Sequence, residues 1–127
     1  MNQSMNQNKN KTRKNTHGKT IITCLDFLNN LKLFHWNTNS YSEHMASDEL
    51  FEDLTKKIDK LIESFLQVRV PIKATIQLNT NKMAFLKKLK QFKQFMNKVT
   101  LPNELYSLRD EIVIDIDQFE YRLTLRK

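Results

Sequence analysis

Apolar residues recur along this chain in steps of three and four, the period of an α-helix with one buried face. In residues 20–36, TIITCLDFLNNLKLFHW, the stripe Ile21, Cys24, Leu25, Leu28, Leu31 and His35 predicts a first helix that turns His35 inward. The polar run NTNSYS then breaks the pattern, and within it Ser40, followed three residues later by Glu43, makes a capping-box pair for a second helix. That helix is predicted to run to about residue 68, with Phe51, Leu54, Ile58, Leu61, Ile62 and Phe65 on its apolar side. A third helix over 81–99 carries Phe85, Leu89, Phe92, Met96 and Val99 on one face and a series of lysines on the other. Pro102 stands where a helix can begin, and Leu105, Leu108, Ile112, Phe119 and Leu123 mark a fourth over 103–125.

Between the second and third helices, RVPIKATIQLNT (69–80) has Pro71 and β-branched residues in place of a helical stripe, so it reads as an extended connection. A helix of about 25 residues is roughly 37 Å long, and about 12 extended residues reach roughly 40 Å. The connection is therefore long enough to return along the whole helix. The fold predicted is all-α, a four-helix bundle with a long crossover between helices 2 and 3, as in ferritin-like bundles.

Composition narrows the picture further. A chain of 127 residues with 39% hydrophobic content supports one core, and one Gly and two Pro are poor material for a turn-rich β-sandwich. A single cysteine excludes an internal disulfide, and no apolar run approaches the roughly 20 residues of a membrane span. The start of the chain is basic without an apolar centre, unlike a secretory signal, so an intracellular, cytoplasmic protein is expected.

Charge is unevenly distributed. Of the net +7, residues 1–19 contribute Lys9, Lys11, Arg13, Lys14 and Lys19 with no acid. Such a segment has little apolar surface to offset its ordering entropy, so 1–19 is expected to be a disordered basic tail ahead of a 20–127 domain. Two uses compete for it: nucleic-acid binding through those five cations, or a solubilising end in a chain rich in Asn and Lys throughout.

Candidate chemistry collects on the second helix. At 100° per residue His44 falls at the edge of the apolar stripe, Asp48 and Asp59 just beyond it, and Glu63 further round the same flank. Asp59 and Glu63 are one turn apart, a spacing at which two carboxylates can hold one cation. On the fourth helix Asp110 and Glu111 precede Asp115, which lies among apolar positions and needs a partner there, either a metal or a Lys or Arg from another helix. Plainer readings stand beside these. His35 suits a hydrogen-bonded core histidine, and the acids of the second helix suit surface pairs with Lys56, Lys57 and Lys60. No phosphate loop, paired zinc cysteines or nucleophile triad is present in the sequence, and Cys24 on a buried stripe suits packing.

The run LKLFHWNTNSYSEHMASDELFEDLTKKIDKLIESF is similar to the signature of the Dps (DNA protection during starvation) branch of the ferritin-like family. In that family a His-Trp ends the first helix, and a His, an Asp and a Glu follow on the second. The resemblance implies iron-ligand roles for His35, His44, Asp59 and Glu63, with Asp48 as a supporting acid. It also implies that imidazoles and carboxylates come from two subunits related by a two-fold axis, so at least a homodimer is expected. The segment between His35 and His44 is shorter than in typical members and lacks their usual Gly. The HW…SY..H stretch, the Asp and Glu four apart and the terminal LRDEIVIDIDQFEYRLTL are also similar to ferritin-like proteins of large DNA viruses, whose function is not established. That second likeness brings Asp110 and Glu111 forward, beside the Asp115 already singled out, as additional ligands in a site inside one bundle, and allows a viral origin, with a location in a virion or host cell. Together the resemblances imply an iron protein that oxidises Fe(II) with peroxide or oxygen, a ferroxidase that protects DNA. The competing expectation is a non-catalytic helical structural or interaction protein that has lost the metal.

Overall fold

The computed structural model describes residues 2–66 and 69–125, and within them the side chains from Thr16 onward. The described residues form helices and no strands: α1 (Asn2–Asn37), α2 (Tyr41–Phe65), α3 (Lys82–Lys98) and α4 (Tyr106–Thr124), the last preceded by a 3₁₀ turn at Asn103–Leu105, with irregular segments between them. α1 packs against α2 and α3, and α4 packs against the same two helices.

α1 is longer than its apolar stripe. The segment 1–19, expected to be a separate disordered tail, is helical from Asn2 and continuous with the rest of α1. No proline interrupts it, and Gly18, its one weak helix former of that kind, is accommodated with Val70 Cγ1 standing 3.6 Å from where a Cβ would be.

Start signals explain the other helices. At α2 the Ser40 hydroxyl accepts from the Glu43 N–H at 3.3 Å, which is one half of the expected capping box. The other half is relayed: the Ser40 N–H donates to Thr38 Oγ1 (3.2 Å), and the Thr38 hydroxyl donates to Glu43 Oε1 (2.7 Å). At α3 the Asn81 side chain accepts from the N–H groups of Met83 (2.8 Å) and Ala84 (3.4 Å). α2 stops at Phe65, before the predicted residue 68.

One core joins the four helices. The predicted stripes of α2, α3 and α4 are the buried ones, including Leu54, Ile58 and Leu61, then Phe85, Leu89, Phe92 and Met96, then Leu105, Leu108, Ile112 and Phe119, with Ile116 added. α1 is rotated from expectation. Its core positions are Cys24, Phe27, Leu31 and Phe34, whereas Leu25 points outward at 42% exposure. Ring packing is the reason. Phe27 stacks on Phe92 and Phe34 on Phe85, each pair with centroids 4.4 Å apart, and Phe119 of α4 meets both Phe34 and Phe85 edge-on at 6.3 Å. A buried ring contributes more area than Leu25 and adds about 0.5–1.5 kcal/mol of aromatic pairing, so the phenylalanine stripe takes the core.

Between α2 and α3, the described residues 66 and 69–81 have no regular secondary structure. Asn30 of α1, fully buried, holds this connection: its amide donates to Gln77 O (3.0 Å) and to Asp26 O (2.8 Å), and its oxygen accepts from the Asn79 N–H (3.1 Å). A buried amide is stable only with its donors and acceptor satisfied, and the backbone of the connection does this.

Candidate metal centre

The α1–α2 corner brings two imidazoles together. His35 sits in the last turn of α1, and His44 lies one turn into α2 after the short segment 38–40. Their rings stack with centroids 3.9 Å apart and planes inclined by 19°. Each ring is tied to the other residue's backbone: His35 Nδ1 donates to His44 O at 2.8 Å, and His44 Nδ1 donates to His35 O at 2.9 Å. Ser47 Oγ lies 3.1 Å from His35 Nδ1, and its own hydroxyl donates to His44 O.

This reciprocity has two consequences. Residues in the last turn of a helix have carbonyls without intrahelical donors, and the His44 ring supplies one to His35 O. A neutral imidazole that donates from Nδ1 carries its lone pair on Nε2, so both rings are fixed in the tautomer that ligates through Nε2. Asp48, one turn beyond His44, places Oδ1 3.9 Å from His35 Nε2. His35 is buried, His44 is half-buried, and Asp48 reaches solvent.

The other residues singled out from the sequence lie elsewhere. Asp59 and Glu63 are exposed on α2, and Asp59 stands about 16 Å further along the helix axis than Asp48 at 1.5 Å per residue. Eleven residues amount to a near-integral number of helical turns, so Asp48 and Asp59 share one side of α2 without meeting in one chain. Asp110 and Glu111 are exposed, and Asp110 accepts from Arg109 Nε at 2.8 Å. Asp115 is paired with Lys57 of α2, which supplies the partner its half-buried position requires. The alternative of a second copy aside, no three or more His, Cys, Asp or Glu side chains among the described residues are grouped to hold a metal ion. Of the tail cations, Lys19 is exposed, and the side chains of Lys9, Lys11, Arg13 and Lys14 fall outside the described residues.

Two structural residues, Asn30 and Arg109, escaped the sequence reading, and Glu43, legible there only as a capping-box partner, has a further role. Asn30 looks like any polar position between apolar ones, although a buried stripe of Phe27, Leu31 and Phe34 would have enclosed it. Arg109 donates to Met96 O (2.9 Å) and Asn97 O (3.3 Å), capping the C-terminal carbonyls of α3, and lies 5.0 Å over the Tyr106 ring. Glu43 receives Lys82 at 2.6 Å as well as Thr38. Burial opposes its ionisation, but the hydrogen bonds from Lys82 and Thr38 and the Lys82 charge outweigh that and hold its carboxyl below the usual range.

Residues 35–123 match a family of unknown function (DUF5856), a span that opens on His35 and takes in all of α2 and α3 and all but the last residue of α4. No curated protein and no solved structure matches the chain.

Proposed function

We propose that this chain, which belongs to the DUF5856 family, is a ferritin-like four-helix bundle of Dps type whose substrate is Fe(II), bound between two copies of the chain. The locked histidine pair carries the reading: both Nδ1 atoms are committed to backbone carbonyls, and Asp48 stands beside His35 Nε2. Holding two imidazoles in the Nε2-ligating tautomer beside a carboxylate is the arrangement a borderline metal ion favours.

The bundle reading is supported by contacts at both ends. His17 stacks on Phe65 at 4.5 Å, and Lys82 pairs with Glu43, so α2 ends beside the middle of α1 while α3 starts near the start of α2. On this reading the connection between α2 and α3 is the long crossover, whose described residues lie against Gly18 at Val70 and against Asn30 at Gln77 and Asn79.

One chain supplies half a site. In the proposed dimer, His35, His44 and Asp48 of one copy face Asp59 and Glu63 of the other, and an isologous interface repeats the arrangement twice. Bound there, iron gives one electron per ion to an oxidant of the peroxide or oxygen class. The chain's residues bind and orient the ion, and mixed imidazole and carboxylate donors suit both its oxidation states.

Complementation tests the arrangement. The variants His35→Ala/His44→Ala and Asp59→Asn/Glu63→Gln should each lose anaerobic Fe(II) binding and aerobic oxidation. Co-refolded in equal amounts, they should recover about a quarter of the wild-type sites, because half the dimers are mixed and each mixed dimer has one intact site. Equal iron uptake by wild type and either variant would refute the proposal.

A second reading has its own support. The histidine pair already serves the α1–α2 corner by capping carbonyls, and no metal-binding group forms among the described residues of one chain. On this reading the protein is a non-catalytic structural or interaction module. It predicts a dimer, or a monomer, that takes up no iron while its histidines still stabilise the fold.

A further inference from the structure

Folding sorts the charges of this chain by helix. α3 has six lysines and no acid, and the connection before it adds Arg69 and Lys73. α2 has seven acids against three lysines, and α4 has five acids against two arginines. α1 has six Lys and Arg against one acid, so the bundle, in which α3 packs on α1 and α2 on α4, has two cationic helices on one side and two anionic helices on the other, meeting where α1 packs on α2 and α3 on α4.

The ion pairs leave an unequal remainder. On α3, Lys82 pairs with Glu43, Lys88 with Asp26, and Lys93 with Asp117 and Glu120. Lys87, Lys90 and Lys98 are exposed and have no ion pair among the described residues. At 100° per residue they fall, with Gln94, in a sector of about 80° that extends about 16 Å along the helix. The exposed side chains between them are Gln91, Gln94 and Asn97.

We infer that this outward face of α3 is a docking surface for the phosphate backbone of nucleic acid. A row of unpaired ammonium groups separated by amides offers point charges and hydrogen bonds to phosphates, with no aromatic ring to stack on a base. An anionic membrane fits less well, since a surface helix that enters a bilayer carries apolar residues opposite its cations, whereas the opposite side of α3 is Phe85, Leu89, Phe92 and Met96 in the core. A second copy's acidic helices fit less well too. Glu49, Asp115, Asp117 and Glu120 are already in ion pairs within the chain. The exposed Glu52, Asp53, Asp59, Glu63 and Glu111 have no ion pair among the described residues, which makes self-association the competing outcome. A salt-sensitive dimer that replacing Lys87, Lys90 and Lys98 by Gln dissociates, with no duplex bound, would assign the face to a second copy. The inference is independent of the iron reading, which uses the α2 flank and leaves α3 open. It also differs from binding through the N-terminal cations.

The test is fluorescence anisotropy of a labelled duplex DNA of random sequence with the full chain between 50 and 300 mM NaCl. Lys87→Gln/Lys90→Gln/Lys98→Gln should bind at least tenfold more weakly at 50 mM, and the slope of log K against log salt should flatten by about 2.7, at 0.9 for each of three phosphates. The corresponding triple Arg variant should keep wild-type slope and affinity, which separates lost charge from lost fold. Lys9→Gln/Lys11→Gln/Arg13→Gln/Lys14→Gln in the full chain should leave the effect of the triple Gln change in place. Unchanged affinity and slope in the triple Gln variant would overturn the inference. So would wild-type protein that fails to bind the duplex at 50 mM, or that binds phosphatidylserine vesicles and not DNA.

Discussion

Replacing His44 and His35 by Ala, singly and together, measures what the stacked pair contributes without any metal. His44→Ala removes the donor to His35 O and the half-buried ring; a net hydrogen bond of about 1 kcal/mol and part of the stack predict a loss of roughly 1–2 kcal/mol. His35→Ala removes a buried ring, its bond to His44 O and the packing around it, so roughly 2–4 kcal/mol is expected. Ser47 limits that loss, because its hydroxyl keeps His44 O as an acceptor when the His35 ring is gone. Both hydrogen bonds end on backbone carbonyls that the alanine variants retain, so each bond is lost with one ring alone. The coupling in the double-mutant cycle therefore reports the ring stack, about 0.5–1.5 kcal/mol. Urea unfolding followed by far-ultraviolet circular dichroism in metal-free buffer gives all four stabilities. If His35→Ala costs no more than His44→Ala, or the coupling vanishes, the reciprocal lock described here is wrong.

Three further outcomes follow from particular contacts. Asn30→Ala should free the connection from α1: two lost bonds of about 1 kcal/mol each predict a loss near 2 kcal/mol, with hydrogen exchange accelerated at the Asn79 amide while the α2 core stays protected. Glu43→Gln should destabilise the protein at neutral pH and not in acid. A carboxyl held low in the fold contributes above its unfolded value near 4.3 and loses that contribution as pH falls toward the folded one, so thermal melts of the two proteins should converge below about pH 4. Cys24 is fully buried and burial pushes its thiol up to about 12, so it should resist a disulfide reagent at pH 8 in folded protein and react at once in urea; rapid labelling of native protein would contradict the core described for α1.

The hydrophobic pattern alone was enough to place all four helices and the buried faces of α2, α3 and α4, since in each of these one apolar stripe stands without a competitor. The unmatched Asp115 could likewise be read as needing a partner, although nothing local to it identified Lys57. In α1 two stripes compete, and Phe27 and Phe34 take the core only because Phe85 and Phe92, more than fifty residues away, offer rings to stack on. The histidines were legible as candidates, but their lock was not, because each bonds a backbone carbonyl, a group every residue has. Helix rise alone sets Asp59 and Glu63 far along α2 from His44; tertiary structure decided that the cationic helices are neighbours. Where a single apolar stripe stands alone, periodicity fixes which side of a helix is buried; packing alone fixes which stripe wins when two compete, which helices share the core, and hence which charges and rings meet.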